Sequence, residues 1–320
     1  MDDVIIHSLG RRSGGRAIFG RPAKAAPAYV AASLRPEEAF RAILSDCLAQ
    51  VSANAAPLRA GRSVEGLHQL RVAFRRLDVA LAAFGREFHQ EWLEELRGRG
   101  RILSARLAPA RDLDVFVDDL LENTPHADGE GFAGLRARAE DARTTAWTAV
   151  TACVTGADFE LFVDDVAALA ASQLPLTRIR RLPKTASRIL DRQARRVEKR
   201  GRAARSKDEG DLHRLRIALK KLRYTAEFFA PIYAKHDVTR YLKKLRALQN
   251  QLGALNDAAN VRGTVAALLQ DDGKKQASAT VGFAAGSMVG WHGAQTARVA
   301  RRALKRYRKF RKLTPFWMPD

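Results

Sequence analysis

The chain has 320 residues, of which 46% are hydrophobic but only 7% aromatic, and its 56 Lys and Arg residues against 35 Asp and Glu residues give a formal net charge of +21. Two cysteines exclude a disulfide framework, and no apolar run approaches the length of about 20 residues that spans a bilayer. The charge excess is costly through self-repulsion, so it indicates a polyanionic partner: nucleic acid, an acidic membrane surface or a phosphate polymer.

Residues 1–35 are the first predicted unit. The segment begins MDDVIIHSLG, which is acidic where a signal peptide needs basic residues, and continues rich in Gly, Arg, Ala and Pro with little periodicity. We expect an extended or disordered lead-in. Cys47 and Cys153 each sit inside a helical apolar pattern, which favours a protein of the reducing cytoplasm.

Residues 64–84, VEGLHQLRVAFRRLDVALAAF, have the pattern of an amphipathic helix. Apolar residues spaced by three and four positions predict a buried stripe: Leu67, Leu70, Phe74, Leu77, Leu81 and Phe84. A second stripe, about 120° round the helix, holds His68, Arg71 and Arg75. Arg76 completes a basic doublet. The helix therefore presents a basic line beside its core face.

Residues 102–120, ILSARLAPARDLDVFVDDL, contain four aspartates: Asp112, Asp114, Asp118 and Asp119. Asp112 follows a predicted turn between helices, and it suits a helix N-terminus, where a carboxylate accepts backbone N–H bonds. Four neighbouring carboxylates also resemble a metal site, but no HExxH, CxxC or paired-Glu pattern accompanies them. We expect capping or ion pairing, and we predict no metal site.

Two prolines in SQLPLTRIRRLPK (172–184), Pro175 and Pro183, predict a break between two helical halves. The helix after this break carries cations spaced by four, three and four positions: Arg188, Arg192, Arg195 and Lys199. That spacing predicts a basic stripe along one helix face.

Residues 209–229, EGDLHRLRIALKKLRYTAEFF, repeat the pattern of residues 64–84, and His213 follows His68 by 145 positions. The predicted inward-facing residues are Leu212, Leu215, Leu219 and Leu222. The equivalent basic line holds His213, Arg216, Lys220 and Arg223.

Residues 247–265, ALQNQLGALNDAANVRGTV, match residues 102–120 at the same offset, with Asp257 in the place of Asp112 after the same predicted turn. An offset that persists over about 45 residues indicates internal duplication. We therefore predict two halves of antiparallel helices, at residues 36–175 and 176–320, with no strands.

Residues 277–291, ASATVGFAAGSMVGW, are too short to cross a membrane, and their glycines and alanines are predicted to let two helices approach closely. The final helix carries a further basic stripe that includes Arg302 and Lys305. If the bundle juxtaposes the basic stripes, they form a channel or groove of positive potential.

Cations at single-turn intervals lie about 5–6 Å apart and repel one another unless an anion lies across them. Arg binds phosphate oxygens through its planar fork, Lys adds a point charge, and His becomes charged when an anion is near. The alternatives are a solvated face, ion pairs with neighbouring helices and, for the histidines, a bond to a backbone carbonyl. Repetition at a fixed offset favours contact with a ligand.

Motifs for catalysis do not appear: the sequence has no phosphate-binding loop, nucleophile elbow or dinucleotide fingerprint. We predict a protein without catalytic residues and without a cofactor.

The motifs LHQLRVAFRRL and RLAPARDLDVF in the first half, and LHRLRIALKKLRYTAEFF and LQNQLGALNDA in the second, resemble those of the CHAD domain, the conserved histidine α-helical domain. The resemblance runs from about residue 36 to residue 318. It implies an all-α fold of two four-helix-type bundles related by a pseudo-twofold axis. It also implies that the histidine helices line a basic central surface or pore that binds inorganic polyphosphate.

The resemblance, carried over by position, assigns polyphosphate binding to His68, Arg71, Arg75, His213, Arg216, Lys220 and Arg223. The doublet and the neighbouring stripes extend this predicted set to Arg76, Arg188, Arg192, Arg195, Lys199, Arg302 and Lys305. Asp78 stands where the second half has Arg223, and this departure from the repeat predicts a lopsided site.

Many CHAD relatives carry a CYTH triphosphatase domain before the helices, with ExExK-type residues that this sequence lacks. The chain is expected to be a free-standing or reduced form of such proteins, or a piece of a longer one. Triphosphatase activity is not implied.

Three functions remain open. The favoured one is binding of inorganic polyphosphate, with association with polyphosphate granules in the cytoplasm. Non-specific nucleic-acid binding is allowed by the charge, although few aromatic residues interleave the basic stripes. The third is an accessory role to a phosphohydrolase or a polyphosphate kinase.

Overall fold

The computed structural model describes residues 22–25, 29–88, 91–172, 181–206, 208–270 and 278–318. These ranges contain ten α-helices and no strand, so the predicted all-α fold is confirmed. The helices are α1 (Pro36–Ala60), α2 (Val64–Phe88), α3 (Trp92–Arg106), α4 (Ala108–Val115), α5 (Glu130–Thr155), α6 (Ala157–Ala171), α7 (Leu182–Ala203), α8 (Glu209–Phe229), α9 (Lys235–Leu269) and α10 (Ala279–Phe310). A short π-helix, Phe116–Leu121, continues α4.

The two histidine helices, α2 and α8, bury the apolar stripes that the sequence predicts. Every leucine and phenylalanine of both stripes is at most 4% exposed. Polar side chains hold the first turns: Ser63 Oγ accepts from the Gly66 N–H at 3.1 Å, and Asp208 caps α8 by accepting from the Asp211 N–H at 2.9 Å. Buried stripes therefore fix how each helix is rotated about its axis, and the basic lines turn away from the core.

The main core joins α2 to α8 directly. Phe84 of α2 lies 5.9 Å from Phe229 of α8, measured between ring centroids, and it stacks on Phe40 of α1 at 4.7 Å. The same core extends through residues of both predicted halves, from Val30 to Trp317. Aliphatic side chains supply most of this core, and the rings of Phe84 and Phe88 stack within it.

A second, smaller core joins the π-helix to α5, α9 and α10, with Phe116, Leu135, Val261 and Met288 buried at its centre. Glycines allow this packing, but they are on α5: a Cβ at Gly131 would lie 2.3 Å from a carbonyl oxygen of α10. The prediction that the glycines and alanines of 277–291 let helices approach closely holds for the alanines only. A Cβ at any of the three glycines there would meet open space, whereas Ala284 and Ala285 are buried in this core and a Cβ at Gly131 would lie 3.1 Å from the Ala284 Cβ. None of the described helices combines the length and the apolar character that a bilayer crossing requires.

The predicted repeat of the turn before Asp257 is wrong, since α9 runs without a break from Lys235 to Leu269. In the first half Pro109, near the start of α4, has no N–H to donate to the last turn of α3. The helix is therefore interrupted at Leu107, between α3 and α4. The equivalent position is Ala254, which keeps its N–H and continues the helix. Asp112 and Asp257 thus lie within helices and cap neither N-terminus.

The predicted junction falls between Ala171, where α6 ends, and Leu182, where α7 begins, with Pro183 in the first turn of α7. Pro175 lies outside the described residues, as do residues 1–21 and 26–28 of the lead-in. Its described residues, 22–25 and 29–35, are not helical; Val30 is buried and Asn54 of α1 bonds to the Ala23 backbone at 2.9 and 3.0 Å. The division into two halves stays a prediction, as does the internal duplication.

Candidate functional site

A cleft of about 480 Å³ opens between α2, α4, α8 and α9. The histidine helices contribute three residues each, α4 and the π-helix form one wall, and the middle of α9 forms the other. Its lining residues are His68, Arg71, Arg75, Arg111, Asp112, Val115, Asp119, Leu120, His213, Arg216, Lys220, Asn256, Asp257, Asn260 and Thr264.

The cleft is lined by residues at matching positions of the two repeated patterns. All its lining residues except Leu120 form pairs separated by 145 positions, such as His68 with His213 and Asp112 with Asp257. The pairs differ in chemistry at several places, because Arg111 stands opposite Asn256 and Asp119 opposite Thr264. The two sides are therefore alike in position but unequal in charge.

Six of the predicted binding residues meet in this cleft: His68, Arg71, Arg75, His213, Arg216 and Lys220. In the described part of the chain, none of the four Arg and Lys side chains among them has a carboxylate within 4.0 Å. Arg71 Nη1 donates a long bond to the Ser104 carbonyl at 3.4 Å, while the Nε groups of Arg75 and Arg216 are buried without a partner there. Their positive charges are thus incompletely compensated by the protein.

Asn256 organises the second side of the cleft. Its Oδ1 accepts from Arg216 Nη1 at 2.8 Å and lies 2.9 Å from His213 Nδ1. An amide oxygen only accepts, so His213 Nδ1 carries the hydrogen of this bond. The bond fixes Arg216 and His213 next to each other without neutralising the charge of Arg216. The exposed His213 side chain is available to a ligand.

Burial and mutual repulsion disfavour the charged forms of the cleft cations. Burial, together with the charges of Arg75 and Arg216, lowers the pKa of Lys220 to about 7. Burial also lowers the pKa of Arg71 to about 10. The pKa of His68 is lowered by burial and then by the charge of Arg111. A bound anion would reverse each of these shifts.

Carboxylates lie among the cations without pairing with them. Loss of hydration raises the pKa of Asp112 and of Asp257, although nearby arginines act in the opposite direction. The five Arg and Lys residues that line the cleft outnumber its three carboxylates. The formal balance is positive, and the carboxylates limit how positive the cleft becomes.

Arg76 does not lie in the cleft, contrary to the prediction from the basic doublet. It follows Arg75 by one position, which turns it about 100° round α2 and into the core. Its guanidinium donates to Asp46 Oδ2 at 2.6 Å and to Gln50 Oε1 at 2.7 Å, over the ring of Phe228. At 3% exposure it is a structural residue.

The predicted stripe on α7 lies outside the cleft. Arg188 and Arg192 both bond to Glu87 at the end of α2, so one carboxylate holds two guanidinium groups. Arg195 lines a different pocket, beside Tyr241 and Arg311, and Lys199 is exposed. The structure therefore does not combine this stripe with the histidine helices into one channel.

Arg223, Arg302 and Lys305 are also outside the lining of the cleft. Arg223 lies over the Tyr224 ring and 3.9 Å from Glu227, although its charge still lowers the pKa of Lys220. Arg302 and Lys305 are exposed on α10. Asp78, at the position equivalent to Arg223, accepts from Arg97 and Arg101 at 2.8 Å each.

Sequence reasoning missed several cleft residues. Arg111, Asn256 and Asn260 were not singled out, and Asp112 and Asp257 were expected to cap helices. The signal that finds them is the constant offset, because all five lie in the second pair of matched segments. Among the described residues, no group of three His, Cys, Asp or Glu is arranged to hold a metal ion.

Comparison with known proteins matches residues 42–266 to the model of the CHAD domain family. The chain is similar to the crystal structure of the CHAD domain from the plant Ricinus communis, with 27% identity, a TM-score of 0.81, and 92% of this chain and 98% of that chain covered. It is also similar to PptA from Streptomyces chartreusis, with 18% identity, a TM-score of 0.68 and 86% and 100% covered. At that identity the second match shows the fold alone. No curated protein matches the chain.

Proposed function

The chain belongs to the CHAD domain family, and we propose that it binds inorganic polyphosphate in the cleft between its two histidine helices. One observation carries this proposal. Cations of α2 and α8 face a shared cleft, and no carboxylate lies within ion-pair distance of Arg71, Arg75, Arg216 or Lys220 in the described part of the chain. The alternative of ion pairs with neighbouring helices is therefore not realised at these four positions.

A phosphate polymer suits this arrangement for electrostatic reasons. Each residue of the polymer carries a negative charge, so a chain that follows the cleft meets the cations of both helices in turn. Arginine binds two phosphate oxygens with one planar guanidinium, and lysine adds a point charge. Binding relieves the repulsion among Arg75, Arg216 and Lys220 that lowers the pKa of Lys220.

Nucleic acid fits the cleft less well. None of its fifteen described lining residues is Phe, Tyr or Trp, whereas single-stranded nucleic acid is held largely by stacking of bases on such rings. A flexible phosphate chain without bases is the ligand that the described residues favour.

Competition calorimetry tests the proposal. Long-chain polyphosphate is titrated into the protein at about 50 and about 200 mM salt, and then duplex DNA and single-stranded RNA are added at equal phosphate concentration. We expect polyphosphate to bind, to weaken steeply with salt because counterions are released, and to resist displacement. Displacement of polyphosphate by either nucleic acid at equal phosphate concentration contradicts the proposal.

We extend the proposal to location in the cell. A protein that binds polyphosphate in the cytoplasm is expected to collect on polyphosphate granules. A fluorescent fusion is compared in cells that accumulate polyphosphate and in cells that do not. A diffuse signal in both contradicts granule association without affecting the binding proposal.

A further inference from the structure

A second basic pocket, of about 440 Å³, lies between the C-terminal ends of α7 and α10. It is lined by Gly201, Leu304 and Tyr307 together with four cations: Arg205, Arg308, Arg311 and Lys312. It shares no lining residue with the cleft, and none of the described residues that line it is acidic. Per lining residue, it is more positive than the cleft.

The floor of this pocket is closely packed. A Cβ at Gly201 would lie 2.0 Å from Tyr307 Cζ, so the absence of a side chain at Gly201 lets α10 approach α7 closely. Tyr307 is 4% exposed, and its hydroxyl lies 3.5 Å from the Val197 carbonyl oxygen. Three of the cations lie beside this contact: Arg308 is in the last turn of α10, and Arg311 and Lys312 follow its end directly.

The protein leaves these four cations without ion pairs. Across the described residues none has a carboxylate within 4.0 Å. Glu198, the acidic group closest in sequence on α7, pairs with Arg202 at 2.5 Å, and the more distant charge of Arg311 also helps to lower its pKa. Helix dipoles account for part of the arrangement, because each of the two helix C-termini carries about half a negative charge. Four cations exceed that compensation by about three charges.

We propose that this pocket is a second anion-binding site, which holds another segment of inorganic polyphosphate. This inference rests on the proposed function, since it assigns a second contact to the same class of ligand. The aromatic ring in the pocket is buried in the floor and offers no exposed face to a nucleobase. The site therefore recognises its ligand by charge alone.

Two separate sites change what the protein does with a long polymer. One chain that occupies both sites gains affinity from effective concentration, while two chains that occupy one site each are bridged by the protein. Bridging is a means of condensing polyphosphate, which a single cleft does not provide.

Stoichiometry tests this inference. Tripolyphosphate, which is short enough for one molecule to occupy one pocket, is titrated by calorimetry at low salt into the wild type, Arg308→Gln/Lys312→Gln and Arg71→Gln/Arg216→Gln. The control is Lys243→Gln/Lys244→Gln, which removes two exposed cations of α9 outside both pockets. We expect two sites in the wild type and the control, and one in each of the other variants. The α10 variant should also lose about tenfold in affinity for long-chain polyphosphate.

Each proposal can fail separately. A single wild-type site that disappears in Arg71→Gln/Arg216→Gln overturns the second site and leaves the cleft. A single site that disappears in Arg308→Gln/Lys312→Gln overturns the cleft and leaves the second site. If circular dichroism shows that the α10 variant unfolds, Arg205→Gln, which is outside α10, replaces it. The inference is overturned if the second-pocket variant still binds two molecules of tripolyphosphate. It is also overturned if that variant binds single-stranded RNA more weakly than the wild type does but keeps its affinity for polyphosphate.

Discussion

The rings of Phe84 and Phe229 lie 5.9 Å apart, and these two residues are separated by the same 145 positions as the histidines of their helices. Equivalent residues can meet in this way at the axis of the predicted twofold relation, which itself stays a prediction. The contact anchors α2 against α8 in the core. Their basic lines consequently border one cleft, which begins about two and a half turns before these rings along each helix.

Charge in the cleft is expected to control affinity. Arg216→Gln/Lys220→Gln removes two contacts to phosphate, each of about 1.5–3 kcal/mol, so polyphosphate affinity should fall at least about 100-fold. Calorimetry measures the loss, and circular dichroism checks that helicity is kept. Lys243→Gln/Lys244→Gln makes the same change in net charge on an exposed face and should retain affinity within about threefold. Equal losses in both variants would show that net charge, and not the cleft, binds the ligand.

Binding is expected to take up a proton near neutral pH. Lys220, whose pKa is lowered to about 7 by burial and by Arg75, Arg216 and Arg223, is partly neutral in the free protein, and Asp257 offsets this only in part. Phosphate favours the ammonium form, so affinity for long-chain polyphosphate should fall as the pH rises above about 7. Calorimetry in two buffers of different ionisation enthalpy measures the proton uptake. Lys220→Arg stays charged and should lose most of it.

The same group affects stability in the opposite sense. The native protein releases the Lys220 proton near pH 7, whereas the unfolded chain holds it up to about pH 10. Between these values the unfolded state binds more protons, so the contribution of Lys220 to the free energy of unfolding rises with pH. Urea denaturation of the wild type and Lys220→Met should show a smaller rise in the variant, where the lowered pKa of Lys221 still contributes. Identical pH profiles would contradict the lowered pKa.

Arg76 is expected to matter for folding and not for binding. Arg76→Met leaves Asp46 and the buried Gln50 without their partner, which should lower the free energy of unfolding by about 3 kcal/mol. Arg76→Met/Asp46→Leu removes the unpaired charge and should recover most of that loss. Urea denaturation measures both. If folded Arg76→Met loses affinity for polyphosphate, Arg76 contributes to binding and this prediction is wrong.

The approach of α7 to α10 depends on Gly201. Gly201→Ala brings a methyl group against the Tyr307 ring and should destabilise the protein by about 1–3 kcal/mol through overpacking. Gly263→Ala is the matched control, because a Cβ there meets nothing within 4 Å and alanine is favoured in a helix interior by about 1 kcal/mol. Opposite signs in thermal unfolding are expected. Stabilisation of Gly201→Ala would mean that the two helices are not in close contact.

Much of the fold follows from local pattern. The three-and-four spacing of leucines identified α2 and α8 and the faces they bury, because helix periodicity acts over neighbouring residues. The constant offset paired His68 with His213 and Arg71 with Arg216. The repeat nevertheless predicted a turn in both halves, and only one is present. Pro109 separates α3 from α4, whereas Ala254 lets α9 continue.

The composition of the site required the tertiary structure. In the sequence Arg75 and Arg76 are adjacent cations of one doublet, but the first faces the cleft and the second meets Asp46 in the core. Arg188 belongs to a regular basic stripe, yet Glu87, 101 positions away, binds it. Whether a cation is free to hold an anion depends on carboxylates that are distant along the chain, because charge compensation acts through space. Sequence spacing therefore determined the basic lines, and packing alone decided which cations are left uncompensated.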